Sequence, residues 1–187
     1  GRHNLQNALA AVAVGERIGL DFARVATALA GFHGAERRFE RHGEVNGVVV
    51  VDDYGHHPTE IAAVMAAARA TLTGRLVIAF QPHRYSRTAH LLDAFGPALR
   101  DADEIVLADI YAAGEEPIAG VTVGRLAESI RQGSGRPVHV ARTLDDVMSE
   151  LLRILRPGDA VVTLGAGSIG TLPKRLMHAL AARGATS

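Results

Sequence analysis

The 187-residue chain contains no cysteine. Disulfides and thiolate metal centres are therefore excluded. Lysine is almost missing as well: Lys174 is the only one, and the basic charge rests on arginine. With 20 basic against 20 acidic residues there is no excess of either sign. A polyanion would release no counterions on such a surface, so no nucleic-acid partner is expected. No run approaches the roughly 20 apolar residues that a spanning helix needs, so no membrane insertion is expected. The opening Gly1-Arg2-His3-Asn4 has neither a methionine nor an apolar signal core. That makes the cytoplasm the expected compartment and the start a boundary within a longer protein. A G-x-x-x-x-G-K-[ST] phosphate loop is also missing from the 187 residues, so tight nucleotide binding by this chain alone is not expected.

What is present is the balance of a globular protein, with 48% hydrophobic and 21% charged residues. Apolar residues at Leu5, Leu9, Val12 and Val14 predict a first helix. Phe22, Val25, Ala26 and Leu29 predict a second, N-capped by Asp21. From Arg38 the pattern turns to β. Segments Arg38–Gly43 and Val48–Asp52 flank Asn46-Gly47, a strong two-residue hairpin signal. Helices over Pro58–Leu72, a mostly helical stretch over Ser86–Leu99, and helices over Val123–Gln132, Leu144–Leu155 and Leu172–Ala182 then alternate with short apolar strands at Arg75–Phe80, Glu104–Ala108, Val138–Ala141 and Asp159–Leu164. Thr143 and Asp146 form a capping box for the fourth of these helices. The pattern predicts an α/β fold: a Rossmann-like, mostly parallel sheet covered by helices on both faces, with an N-terminal β-hairpin and two helices before it.

In such sheets ligands sit beyond the carboxyl ends of the strands. Four polar clusters follow strands directly: Asp52 to His57, Gln81 to Arg87, Asp109 to Tyr111 and Gly165 to Ser168. They are expected to converge on one edge. Arg84 and Arg87, one helical turn apart beside His83 and Tyr85, can grip a carboxylate or phosphate through paired hydrogen bonds. The alternative for any such pair is solvated surface. Asp52, Asp53, His56, His57, His83 and His90 also raise a metal-dependent hydrolase, although no familiar ligand spacing links them. The plainer alternative has Asp52 and His57 capping the helix that starts at Pro58. Gly165-Ala166-Gly167-Ser168-Ile169-Gly170 fits G-x-G-x-x-G, but the dinucleotide fingerprint also needs a later strand with an acidic residue, and none follows. A tight turn is the reading there. A non-catalytic α/β binding module remains a third possibility.

Read together, these segments resemble the Mur ligases. Gly1-Arg2-His3-Asn4-Leu5-Gln6-Asn7-Ala8-Leu9-Ala10-Ala11 is similar to the G-x-H-N-x-x-N-x-x-A-A segment that closes their central ATPase domain, and Arg37-Arg38-Phe39-Glu40 to the stretch leading into their C-terminal domain. Asp52 to Ile61, Phe80 to Thr88, Tyr111 to Ile118 and Gly165 to Gly170 resemble the L-alanine-adding branch. The resemblance implies that residues 1–36 are the last helices of the central ATP-binding domain and 37–187 the amino-acid-binding, lid domain. It implies an ATP-dependent amide-forming ligase joining L-alanine to UDP-N-acetylmuramate through an acyl phosphate, with Mg2+, in peptidoglycan precursor synthesis. On this resemblance His3, Asn4 and Asn7 hold adenine, Asp53 accepts from the ribose, and Arg38 faces the phosphates. Tyr54, His56, His83, Arg84 and Arg87 form the alanine and acyl-phosphate end, with Arg84 and Arg87 on the alanine carboxylate. The UDP-sugar domain and the phosphate loop of the family lie outside these residues, so the chain alone is expected not to turn over.

Overall fold

The computed structural model describes residues 2–32 and 34–184, without the side chains of residues 2–4 and 184. It divides into two compact units, Gly1–Ala35 and Glu36–Ser187.

The first unit is a helix pair, α1 (Arg2–Arg17) and α2 (Phe22–Ala30). Asp21 caps α2 as its pattern predicts, its carboxylate accepting the Arg24 amide at 2.8 Å. The helices meet where Gly15 faces Val25: a Cβ at Gly15 would lie 2.5 Å from the Val25 methyl. Leu5, Leu9, Val14, Ile18 and Phe22 remain 60–69% exposed, leaving an uncovered apolar surface.

The second unit is a six-stranded sheet: β1 (Glu40–Val45), β2 (Val48–Asp53), β3 (Leu76–Phe80), β4 (Glu104–Ala108), β5 (Val138–Ala141) and β6 (Ala160–Leu164). The strand order is β1-β2-β6-β3-β4-β5, antiparallel only between β1 and β2. Asn46 (φ 50) and Gly47 (φ 74) make the two-residue turn that the Asn-Gly pair announces. The first strand starts later than Arg38, because Arg37 (φ 56) and Phe39 (φ 51) are in left-handed conformations that no strand can absorb.

Six helices flank the sheet: α3 (Pro58–Thr71), α4 (Tyr85–His90), α5 (Phe95–Ala98), α6 (Val123–Ser134), α7 (Leu144–Ile154) and α8 (Leu172–Gly184). Strand residues alternate between two cores. Val51, Ile78, Phe80, Ile105, Leu107 and Val162 meet Ile61, Met65, Leu99, Leu126 and Ile130 on one face. Val50, Val77, Ala79, Val106 and Val161 meet Val147, Leu151, Leu172 and Leu176 on the other. This period of two with helices on both sides is the predicted doubly covered sheet.

The mostly helical stretch expected over Ser86–Leu99 consists of α4, a 3₁₀ turn at Leu92–Ala94, and α5. Pro97 has no amide to give the carbonyl of Asp93 and would clash with it in a continuous helix. Next to it Gly96 packs backbone to backbone on Gly133 of α6; a Cβ there would come within 2.7 Å of the Gly133 Cα.

Candidate functional site

The parallel strands β2, β6, β3 and β4 deliver their carboxyl ends to one edge, as the sequence pattern predicts. Four rings line up across it. Tyr54 and His56 follow β2, with centroids 5.6 Å apart; His56 stands 5.4 Å from His83, which follows β3; and His83 stacks 5.7 Å from Tyr111, which follows β4. Backbone pairing fixes the last step. Tyr111 donates its amide to the Pro82 carbonyl and Arg84 donates to the Tyr111 carbonyl, both at 2.8 Å.

Hydrogen-bond partners decide the histidine tautomers. His56 Nδ1 lies 3.0 Å from the Tyr54 carbonyl oxygen. A carbonyl only accepts, so Nδ1 carries a hydrogen, and in the neutral ring the acceptor is Nε2. His83 is reversed. Its Nδ1 sits 3.3 Å from an Arg87 guanidinium nitrogen, which only donates, so the His83 hydrogen is on Nε2. Burial, then the neighbouring His56, Arg87 and Arg84, hold the His83 pKa below its usual value, which favours the neutral ring.

Arg84 and Arg87 flank His83, Arg84 half-exposed and Arg87 partly buried. Arg84 adopts φ 72, ψ 138 at the start of α4, a conformation that costs a non-glycine residue about 1–3 kcal/mol. Such strain persists only where neighbours enforce it, and it concentrates at functional positions.

The loop before α3 is held by two carboxylates. Asp53 is 5% exposed; its oxygens accept the amides of Phe39 at 2.8 Å and Gly55 at 2.6 Å, while burial raises its pKa. Glu60 accepts the amides of His56 and His57; burial pushes its pKa up, but these bonds prevail and lower it. His57 N-caps α3, its ring nitrogen taking the Thr59 amide at 3.2 Å. Asp52, expected beside His57 as a cap, is elsewhere. It pairs at 2.7 Å with Arg37 and accepts from Thr163 Oγ1 at 2.5 Å. With Asp52 turned to Arg37, Asp53 bound to amides and His57 on its helix, the carboxylate–histidine set of a metal hydrolase does not assemble. Among the described residues no three such groups come together as a metal site.

Arg37 is the residue the sequence reading passed over in favour of Arg38. It binds Asp52 and the Gly165 carbonyl at 2.5 Å, tying β1, β2 and β6 together. Arg38 is exposed, its guanidinium 5.6 Å from the Tyr54 ring centre. Gly165 (φ 142) and Gly167 make the tight turn expected of the glycine segment: a Cβ on Gly165 would come within 2.7 Å of the Gln81 carbonyl, and one on Gly167 within 2.7 Å of the Tyr111 ring. Of the adenine set, Asn7 lies exposed on α1; the side chains of His3 and Asn4 lie outside the described residues.

The family model for the Mur ligase glutamate ligase domain matches residues 37–167. The chain belongs to the Mur ligase family. Among curated Mur ligases it is 51% identical over 169 residues to the UDP-N-acetylmuramate–L-alanine ligase of Pelotomaculum thermopropionicum, covering 90% of this chain and 37% of that protein. It is 47% identical over all 187 residues to that of Symbiobacterium thermophilum, covering 39% of it. Among solved Mur ligase structures, the UDP-N-acetylmuramate–alanine ligase of Thermotoga maritima superposes with a TM-score of 0.77 at 27% identity, over 98% of this chain and 39% of that one. A murein peptide ligase from Psychrobacter arcticus gives 0.71 at 30% identity, over 97% and 37%. The chain thus spans about two fifths of the length of the curated Mur ligases it matches.

Proposed function

We propose that this chain forms the amino-acid end of an ATP-dependent ligase that joins L-alanine to UDP-N-acetylmuramate in the cytoplasm. The observation that carries the reading is the edge where His56, His83 and the Arg84–Arg87 pair stand together, in a chain 51% identical to a ligase named for that reaction. Arg84 and Arg87 bind the alanine carboxylate, whose two oxygens match a pair of guanidinium forks. Once ATP has turned the muramoyl carboxylate into an acyl phosphate, the alanine amine attacks the acyl carbon. A C–N bond forms, the C–O bond to phosphate breaks, and the ammonium proton must leave.

The tautomers suggest where it goes. His56 Nε2, with its free lone pair, accepts the amine proton, while neutral His83 donates Nε2–H to an oxygen carrying developing negative charge. Arg38 and Asn7, with His3 and Asn4, serve ATP. Residues 1–36 are the closing helices of the central domain, which accords with the uncovered Leu5, Leu9, Val14 and Ile18; residues 37–187 are the amino-acid-binding domain. Among the described residues no three His, Asp or Glu side chains come together to hold the Mg2+ of the reaction by themselves, and none of these steps is routed through it.

The test is phosphate release by the full-length protein. Release must require ATP, UDP-N-acetylmuramate and L-alanine together, and Arg87→Ala should raise the KM for L-alanine about 10- to 100-fold, as expected for a lost charge-assisted bond. Alanine-independent turnover, or an Arg87→Ala enzyme with unchanged alanine KM, would overturn the assignment.

A further inference from the structure

The loop after β4 has been given no task beyond Tyr111, yet it reaches back to the two arginines. Glu115 accepts the Ser86 amide at 2.9 Å and the Ser86 hydroxyl at 2.6 Å, and one of its oxygens lies 3.9 Å from Arg84. Ser86 is the second residue of α4, so its amide is among those with no partner inside the helix. Immediately before α4 stands Arg84 with its strained backbone at φ 72, ψ 138.

Two attachments from the loop after β4 hold the turn that carries Arg84. One is the backbone pairing with Tyr111. The other is the carboxylate of Glu115, four residues further along the same loop. Arg84 is itself half-exposed; without Glu115 the strained turn keeps Tyr111 on the Arg84 amide and the Thr88 amide and hydroxyl on the Arg84 carbonyl, but its Ser86 end loses its tie to the loop after β4. Arg87 leaves from the same turn, so its angle to Arg84 depends on the same latch.

We propose that Glu115 is a positioning residue for amino-acid binding: through Ser86 it locks the strained turn at Arg84 and so sets the spacing of the Arg84–Arg87 pair. The inference rests on the assignment of those arginines to the alanine carboxylate. The bonds from the Ser86 hydroxyl and amide keep the Glu115 pKa below its usual value, so the latch stays charged and closed through the neutral range. The latch needs hydrogen-bond acceptance more than charge. A glutamine can accept from the Ser86 amide through its carbonyl and donate to the hydroxyl through its amide.

The experiment is steady-state kinetics of the full-length protein with each of its three substrates varied, for wild type, Glu115→Ala, Glu115→Gln and Ser86→Ala. Glu115→Ala should raise the alanine KM about tenfold, while the KM values for ATP and UDP-N-acetylmuramate stay within about twofold. Glu115→Gln should restore most of the alanine KM, and Ser86→Ala, which keeps the amide bond, should fall between. A Glu115→Ala enzyme with unchanged alanine KM, or with all three KM values raised alike, would overturn the latch while leaving the ligase assignment intact. A wild-type protein that does not ligate alanine would overturn both.

Discussion

Arg37→Ala and Arg38→Ala, one residue apart, should differ sharply in stability. Arg37 donates from Nε to Asp52 at 2.7 Å and from a terminal nitrogen to the Gly165 carbonyl at 2.5 Å. Asp52 is 1% exposed, and its other partner is the hydroxyl of buried Thr163. Removing the guanidinium leaves a buried carboxylate with one neutral partner. Breaking a buried pair from one side costs about 3–5 kcal/mol. The Arg37 side chain is 23% exposed, so water can partly replace it, and the expected loss is about 2–4 kcal/mol. In a protein of this size that lowers the melting temperature by about 4–16 °C. Backbone strain does not enter, because Arg and Ala at φ 56 bear the same penalty. Arg38 stands over the Tyr54 ring, at 5.6 Å, an exposed contact of about 0.5–1 kcal/mol, and otherwise attracts the Asp53 and Glu60 carboxylates without a hydrogen bond to either. Urea unfolding followed by far-ultraviolet circular dichroism measures both variants. Asp52→Asn combined with Arg37→Ala should recover part of the loss, since no unpaired charge remains. If Arg37→Ala unfolded within 0.5 kcal/mol of Arg38→Ala, the Arg37–Asp52 pair would not be the brace described here.

Two further outcomes follow from the geometry. In nitrogen-15 NMR near pH 7.5, His56 should show hydrogen on Nδ1 and His83 hydrogen on Nε2, and His83 should titrate below the usual histidine value of 6.5. Because its folded pKa is depressed, His83 contributes stability that is complete above about pH 6.5 and lost as pH falls through the folded pKa. A His83→Gln chain should therefore lose less stability between pH 7 and pH 5 than wild type; an equal slope would contradict this. Gly74 and Gly158 offer a paired test of close approach. Both have positive φ, 81 and 93, but a Cβ on Gly74 would sit 1.9 Å from the Gly158 carbonyl oxygen, whereas one on Gly158 meets nothing within 4 Å. Gly158→Ala should cost about 1–2 kcal/mol for the backbone alone, and Gly74→Ala about 1–3 kcal/mol more for the clash. Equal losses in urea unfolding would mean the approach is not tight.

Much of the fold was legible because its signals are local. Asn46-Gly47 names its own turn, Thr143 and Asp146 cap each other within four residues, and strands such as Leu76–Phe80 are apolar throughout because both faces are covered. The strand-end rule likewise brought Tyr54, His56, His83 and Arg84 to one edge before any distance was known. The features not legible are those decided by distant partners. Nothing in Arg37-Arg38 tells which guanidinium faces a buried Asp52 fifteen residues away. The His83–Tyr111 pairing and the Glu115–Ser86 bonds each join segments 28 or 29 residues apart through irregular backbone, where no periodicity exists to read. The division between α4 and α5 has a local cause in Pro97, and helical spacing on both sides conceals where it falls.

The strand order has a consequence for how the domain is made. β6, residues 160–164, lies between β2 and β3, which are themselves separated by only 22 residues of chain. Until β6 is synthesised, β2 has no parallel neighbour and β3 exposes an unpaired inner edge. At about 5–20 residues per second, a ribosome needs several seconds to travel from β3 to β6. Over that interval the nascent domain consists of a hairpin and a three-stranded piece, each with an open edge that another chain could pair with. The strand that closes the sheet is thus the last one to emerge, and chaperone protection during synthesis is most needed before Leu164 clears the exit tunnel.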